Sequence, residues 1–308
     1  MDSLLDRPAF SVDGAAFTWR DVQAAARRWG EWDRLTADSA RAAALVAARP
    51  PAEDAVNAAA RDFRYARDLV SGDEMRAWLD GHAVTVAEWM DHMRRHVALA
   101  AGDADGTAGN GVDARVVAVD ALCGGTLERV AHELAGRAAL AAARGAPIPD
   151  ASGDAATRLA AIDAAFAQVR DALVTPAALA AQVSSHRLEW MTVEHRVARF
   201  ASEAAAREAL LRVREDGDTL AETATDARVA LEMRRVRLED AGTLQTQLTG
   251  AAPGELLGPL DLDGAPALVE VVAKRVPDLA DAETHTRAAR AVLEGATQGA
   301  VSTHVRWG

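Results

Sequence analysis

PGELLGPLDLDGAPALVEVVAKR, residues 253–275, decides the fold, because in this stretch the turn signals and the apolar period both read as sheet. Pro253-Gly254 marks a turn, Leu256 to Leu262 is a short apolar run, and Asp263-Gly264 suits the positive φ angles of a tight hairpin. Leu268 to Ala273 returns as the second strand. The other segment rich in strand-forming residues is LEWMTVEHRVARF, Leu188 to Phe200, which is expected to pair with the hairpin. Between the two, the sequence reads as a helix from Ser202 to Glu215, a short helix from Thr219 to Asp226, a strand from Arg228 to Arg237 and a helix from Leu238 to Leu248. The result is a small α+β module over residues 184–279 with an antiparallel sheet as its floor.

The rest of the chain reads as helix. Half of the 308 residues are apolar, yet only 4% are aromatic and alanine supplies much of the remainder, so close packing of helices through small side chains is expected. FSVDGAAFTW, Phe10 to Trp19, alternates about Asp13-Gly14 and predicts a small hairpin. Thr18 is placed to cap a helix from Arg20 to Trp32, and an alanine-rich helix from Asp38 ends at Arg49-Pro50-Pro51. Glu53 to Val70 carries Val56, Ala59, Ala60, Phe63, Ala66 and Leu69 at helical spacing. Ser71 to Glu74 and Thr85 to Glu88 read as capping boxes ahead of two further helices. Val112 to Arg144 is helical on both sides of Gly124-Gly125, Thr157 to Leu173 is amphipathic, and Thr175-Pro176 opens a connector helix. Ala101 to Gly111 and Gly145 to Asp154 read as polar loops. Asp281 to Gln298 is a closing helix, followed by strand-like alternation from Val301 to Trp307.

A net charge of −12 argues against nucleic acid or an anionic membrane as partner, because both need clustered cations. MDSLLDRP at the start carries acidic residues where a secretion signal is basic, so the expected location is the cytoplasm. Cys123 is the only cysteine, which excludes an intrachain disulfide.

The order of elements, with FSVDGAAFTWRDV, ARDFRYARDLVSGDEMRAWL, EHRVARFASEAAAREALLRVREDGDTLAETA and the hairpin stretch quoted above, resembles the parvulin-type peptidyl-prolyl isomerases, and in particular the two-domain chaperones of the SurA type. The chain also looks like parvulin-related proteins from actinobacterial peptide-maturation gene clusters. The resemblance spans nearly the whole chain. It implies a mostly α protein: a helical peptide-binding domain over residues 1–183, closed by a C-terminal helix within 280–308, and a parvulin-like antiparallel-sheet domain over 184–279. Two departures stand out. His195 fits the histidine slot of the first parvulin strand, but Gly264 is followed by Ala265, Pro266 and Ala267 where a second histidine is expected. RVALEMRRVR, Arg228 to Arg237, replaces the glycine-rich middle segment of active members. The isomerase site is therefore incomplete.

Amide isomerisation needs a twisted peptide favoured in a dry pocket, and no proton need be transferred. Met191, Phe200, Met233 and Leu244 either line such a pocket beside His195 or form the core of the module. The tryptophans of the N-terminal helices, Trp78 and Trp89 among them, either line a groove for extended peptide or fill the bundle core. Glu88, His92 and His96 share one helix face at i, i+4 and i+8, and could hold zinc if His132, Glu133 or Cys123 supplied a further ligand. The alternative is a solvated face beside Arg94 and Arg95, and no metal or other cofactor is expected. Cys123, ahead of the helix that follows Gly124-Gly125, would favour its thiolate at a helix N-terminus, or be a small buried hydrophobe.

The expected function is a non-catalytic or weakly catalytic chaperone that binds an unfolded or precursor peptide, with the enzymes that modify that peptide as further partners. The alternatives are an active prolyl isomerase acting through His195, and a metal- or cysteine-dependent peptide-modifying enzyme.

Overall fold

The computed structural model describes residues 4–102, 111–149 and 154–308. Most of the two polar loops expected at Ala101 to Gly111 and Gly145 to Asp154 falls outside the described residues. The chain is mostly helical, with two small antiparallel sheets. It divides into a first unit, Met1–Ala172 with Gly295–Gly308, and a second unit, Leu173–Glu294.

The first unit begins with the hairpin β1 (Pro8–Val12) and β2 (Ala15–Thr18) and continues through α1 (Trp19–Arg28), α2 (Glu31–Ala48), α3 (Glu53–Tyr65), α4 (Gly72–Gly81), α5 (Val86–Ala101), α6 (Ala114–Cys123), α7 (Thr126–Ala142) and α8 (Ala155–Leu173). The second unit holds α9 (Pro176–Ser185), β3 (Thr192–Arg199), α10 (Glu203–Leu211), α11 (Leu220–Asp226), β4 (Leu231–Arg237), α12 (Gln245–Gly250), β5 (Leu256–Leu262) and β6 (Ala265–Arg275). α13 (Ala282–His304) leads back into the first unit, where the chain ends on β7 (Val305–Trp307).

Capping fixes the helix starts that the sequence marks. The side chains of Thr18, Ser71, Thr85 and Thr219 each accept the amide of the acidic residue three positions on, whose carboxylate accepts the cap amide in return. The expected helix from Arg20 to Trp32 is corrected. It stops at Arg28 because Gly30 turns left-handed at φ 78°, and the alanine-rich helix starts at Glu31, which buries Trp32 with Ala42. β1 pairs with both β2 and β7, and Phe10 stacks on Phe17 at 4.6 Å between ring centroids. α7 buries Leu127, Val130, Leu134 and a run of alanines. A Cβ on Gly136 would lie 2.8 Å from Cγ2 of Thr297, so glycine lets α7 and α13 approach closely there.

In the second unit the strand order is β4-β3-β6-β5, all antiparallel. The hairpin turns on Asp263 and Gly264 at φ 57° and 81°, as their dipeptide predicts. Alternation along β3 sets Val193, His195 and Val197 on one face. There Val193 and Val197 pack with Val269 and Val271 beneath Leu238, Leu248 and Ala251. On the other face Ala198, Phe200 and Leu268 pack against α10 and α11.

Several boundaries differ from the sequence expectation. β3 starts at Thr192 rather than Leu188, because His186 to Trp190 wind into a turn that buries Trp190 with Leu179 and Ala288. β4 starts at Leu231 rather than Arg228, which sits at φ 56°. The expected helix from Leu238 to Leu248 is two short 3-10 turns followed by α12, with Gly242 at φ 55° between. The C-terminal helix runs to His304, leaving only Val305–Trp307 as strand.

Candidate functional site

α3 and α5 of the first unit run beside each other, and alanine decides what lies between them. Ala55, Ala58, Ala59 and Phe63 recur on one face of α3, continued by Ala66 at its C-cap, and Met93, Val97 and Ala100 lie on the facing side of α5. Side chains this small leave a cavity of about 600 Å³. A second cavity of about 590 Å³ lies among Leu45, Pro50, Pro51 and Ala98, and shares Ala55 and Val97 with the first. The two therefore lie side by side along the α3–α5 seam, as the two parts of a mostly apolar trough with Ala55 and Val97 between them. Each is within the usual size of a ligand site.

The base of the trough is aromatic. Phe63 meets Trp78 edge-on at 5.3 Å and Trp89 at 5.8 Å. The guanidinium of Arg67 lies 4.0 Å over Phe63 and donates to the Cys123 carbonyl at 3.0 Å. Trp89 is buried and Trp78 half-buried; they back Phe63, and it is Phe63 that reaches the cavity wall.

A buried ionic network holds α5 to α6. His92 Nδ1 donates to Asp120 Oδ1 at 2.8 Å, and Arg95 donates to the same carboxylate through Nη2 at 2.6 Å and Nε at 3.0 Å. Burial pushes the Asp120 carboxyl up, but the hydrogen bonds from His92 and Arg95 outweigh it and hold the group below its ordinary range. Asp120 was not singled out by the sequence reading, although an aspartate inside ARVVAVDALC is a signal in itself. His92 and His96 both line the trough, and burial, then the neighbouring His92, lowers the His96 imidazole.

The expected Glu88-His92-His96 face is thereby dismantled. Glu88 belongs to Arg115, whose guanidinium hydrogen bond drives the carboxyl down to about 2. His132 packs on Trp307 and Glu133 pairs with Arg137. Among the described residues no group of three or more His, Cys, Asp or Glu side chains is arranged to hold a metal ion. Cys123 is also corrected: it is the last residue of α6 rather than a helix start, it is 3% exposed, and burial pushes its thiol up to about 12. It lines the trough as a small apolar group.

In the second unit His195 is 2% exposed, so its ring is covered by the module's own core. Its Nδ1 has no hydrogen-bond partner. Burial lowers the imidazole; the Val193 main chain opposes this and the Arg234 charge adds to it. Met191 and Leu244 pack at the margin of the His195 face. Phe200 is buried on the opposite face, and Met233, whose cross-strand partner is Arg196, is 59% exposed on that same side. The four residues expected around one pocket are thus divided between two faces, because pairing register, not composition, assigns each side chain to a side.

These features define a two-unit, mostly helical protein with an apolar trough in one unit and an antiparallel sheet in the other. No family model matches the chain and no curated protein matches it. Among solved structures it is similar to one described in a study of two structurally related SurA-like chaperones of Campylobacter jejuni, the virulence factor PEB4 and the periplasmic protein Cj1289. The alignment covers 98% of each chain at 10% identity with a TM-score of 0.21, too low to carry that chaperone's fold or role to this chain. No helix among the described residues is long and apolar enough to cross a membrane.

Proposed function

We propose that this chain is a cytoplasmic, chaperone-like peptide-binding protein, and that the α3–α5 trough takes the apolar side chains of an unfolded or precursor peptide. The observation that carries this reading is the pair of mostly apolar cavities that adjoin at Ala55 and Val97. A trough with small walls accepts many aliphatic side chains and selects none of them strongly, which suits varied clients. Of its polar neighbours, burial holds Cys123 as a thiol, and the Asp120 carboxylate behind it is engaged by His92 and Arg95. Peptide held in this way would be available to enzymes that modify it.

Titration with a reduced, unfolded, leucine-rich polypeptide tests the reading, followed through tryptophan fluorescence because Trp78 and Trp89 back the trough. Micromolar binding is expected, and Ala59→Trp, which fills the trough from half-exposed α3, should abolish it while leaving the circular dichroism unchanged. Wild-type affinity in Ala59→Trp would overturn the assignment.

A second reading, prolyl isomerisation through His195, has one observation in its favour: an imidazole that burial holds below its ordinary value, on an apolar sheet face. It requires that a proline test peptide isomerise faster with the protein and that His195→Ala remove the effect. With His195 covered, we expect no acceleration.

A further inference from the structure

The sheet of the second unit has two edges, and they are built differently. β5 carries Gly258 and Pro259 within its span, and Arg214 donates to its Leu256 carbonyl, so a ladder cannot run along its outer side. β4, Leu231–Arg237, has neither glycine nor proline. It pairs with β3 from Ala198↔Leu231 to Thr192↔Arg237, and among the described residues no strand pairs with its other side. Half of its main-chain donors and acceptors therefore point outward along an uninterrupted strand.

The side chains of that edge are cationic in a chain whose net charge is −12. The strand carries Arg234, Arg235 and Arg237 but a single carboxylate, Glu232, which alternation sets on the face of Arg234. Glu232 is shared by Arg234 at 2.7 Å and Arg199 at 3.2 Å, and Arg237 is held by Glu283 at 2.8 Å. Arg235 lies opposite Glu194, but Glu194 pairs with Arg275 at 3.1 Å; the charge of Arg235 acts on the Asp281 carboxylate, and it makes no close ion pair among the described residues. Met233, two residues back on the same face, is 59% exposed.

We propose that the outer edge of β4 takes an acidic, extended polypeptide segment as an added strand. The main chain supplies affinity, and cross-strand charge supplies selectivity. In an antiparallel register the occupant sets acidic residues opposite Arg234 and Arg235 and apolar residues opposite Met233 and Val236. A second copy of this chain is a poor occupant. The one antiparallel register that uses all of β4 sets Arg234 against Arg234, and like charges directly opposite destabilise a pair. The site lies wholly in the second unit and does not depend on the trough.

The test uses the full chain and a synthetic peptide that alternates valine with paired glutamates, against the same peptide with lysine in place of glutamate. Fluorescence anisotropy gives affinity, and hydrogen exchange gives protection of the β4 amides. The acidic peptide should bind at least about tenfold tighter than the lysine peptide, and the preference should shrink as salt rises. Amides of Glu232 to Val236 should gain protection, and proline in place of the central valine should abolish binding. Arg235→Glu should cost about tenfold in affinity for the acidic peptide, whereas Ala59→Trp should leave it unchanged. Equal binding of the two peptides, or binding without protection of β4, would overturn the proposal and leave the arginines as charges that merely keep the edge from pairing. Concentration-dependent self-association lost in Arg235→Glu would overturn it in favour of a second copy.

Discussion

Removing the Asp120 carboxylate should unfold the first unit far more easily than its single position suggests. Asp120 is 6% exposed and its partner Arg95 has a side chain only 12% exposed, so in Asp120→Ala a guanidinium and the His92 Nδ1–H lose their acceptor where water barely reaches. Breaking one side of a buried ionic group in this way costs about 3–5 kcal/mol, whereas replacing both sides with apolar groups of similar volume costs little. For a unit of this size that is a fall of roughly 6–20 °C in Tm. Urea unfolding followed by tryptophan fluorescence reports on the right unit, since every tryptophan except Trp190 lies in it. The companion variant Asp120→Leu with Arg95→Met, which leaves only the His92 Nδ1–H without its acceptor, should recover most of the loss. A loss below about 1 kcal/mol in Asp120→Ala, or no recovery in the double variant, would show that the network is not what fixes α5 to α6. The pH dependence has a defined sign as well. Because the folded carboxyl lies below its ordinary value of 3.8, the network contributes fully above that pH and its contribution is lost as the pH falls further.

Other outcomes follow from single sites. His195 is held below its ordinary 6.5, so protonating it costs more in the folded than in the unfolded state. The sheet unit should lose stability as the pH falls below 6.5, and His195→Leu should flatten that slope in hydrogen exchange of the β3 and β6 amides. Cys123, buried and with a thiol near 12, should resist a maleimide at pH 8 in the native protein and react once urea unfolds the chain; rapid native labelling would contradict the burial. Thr85→Ala removes a cap that accepts Glu88 N at 3.2 Å and should cost about 1 kcal/mol in urea unfolding. Gly258→Ala forces a Cβ to 2.7 Å from the Ala267 carbonyl oxygen at φ 126°, and should destabilise the sheet unit by about 1–3 kcal/mol, read as faster exchange of the β5–β6 amides.

The sequence by itself determined the local structure, because local structure is set by neighbours along the chain. Asp13-Gly14 and Asp263-Gly264 allowed only tight hairpins, the Ser71, Thr85 and Thr219 boxes fixed helix starts, and the proline pair at Pro50-Pro51 ended α2. The mostly helical fold with a small antiparallel sheet was legible for the same reason. Gly30 was a break that the helical pattern from Arg20 to Trp32 ran through, because one glycine among helix formers costs too little to mark a helix end by itself. Everything that depends on which faces meet was decided only in three dimensions. Met191 and Phe200 look alike in sequence, but alternation and register send them to opposite faces of one sheet. Glu88, His92 and His96 share a helical spacing. Yet Arg115 and Asp120, 27 and 28 positions away from Glu88 and His92, claim two of the three, because a buried charge must find a partner wherever the fold brings one near. The trough is the clearest case. Alanines on α3 predict helix and nothing more, and they line a cavity only because the fold sets α5 opposite them.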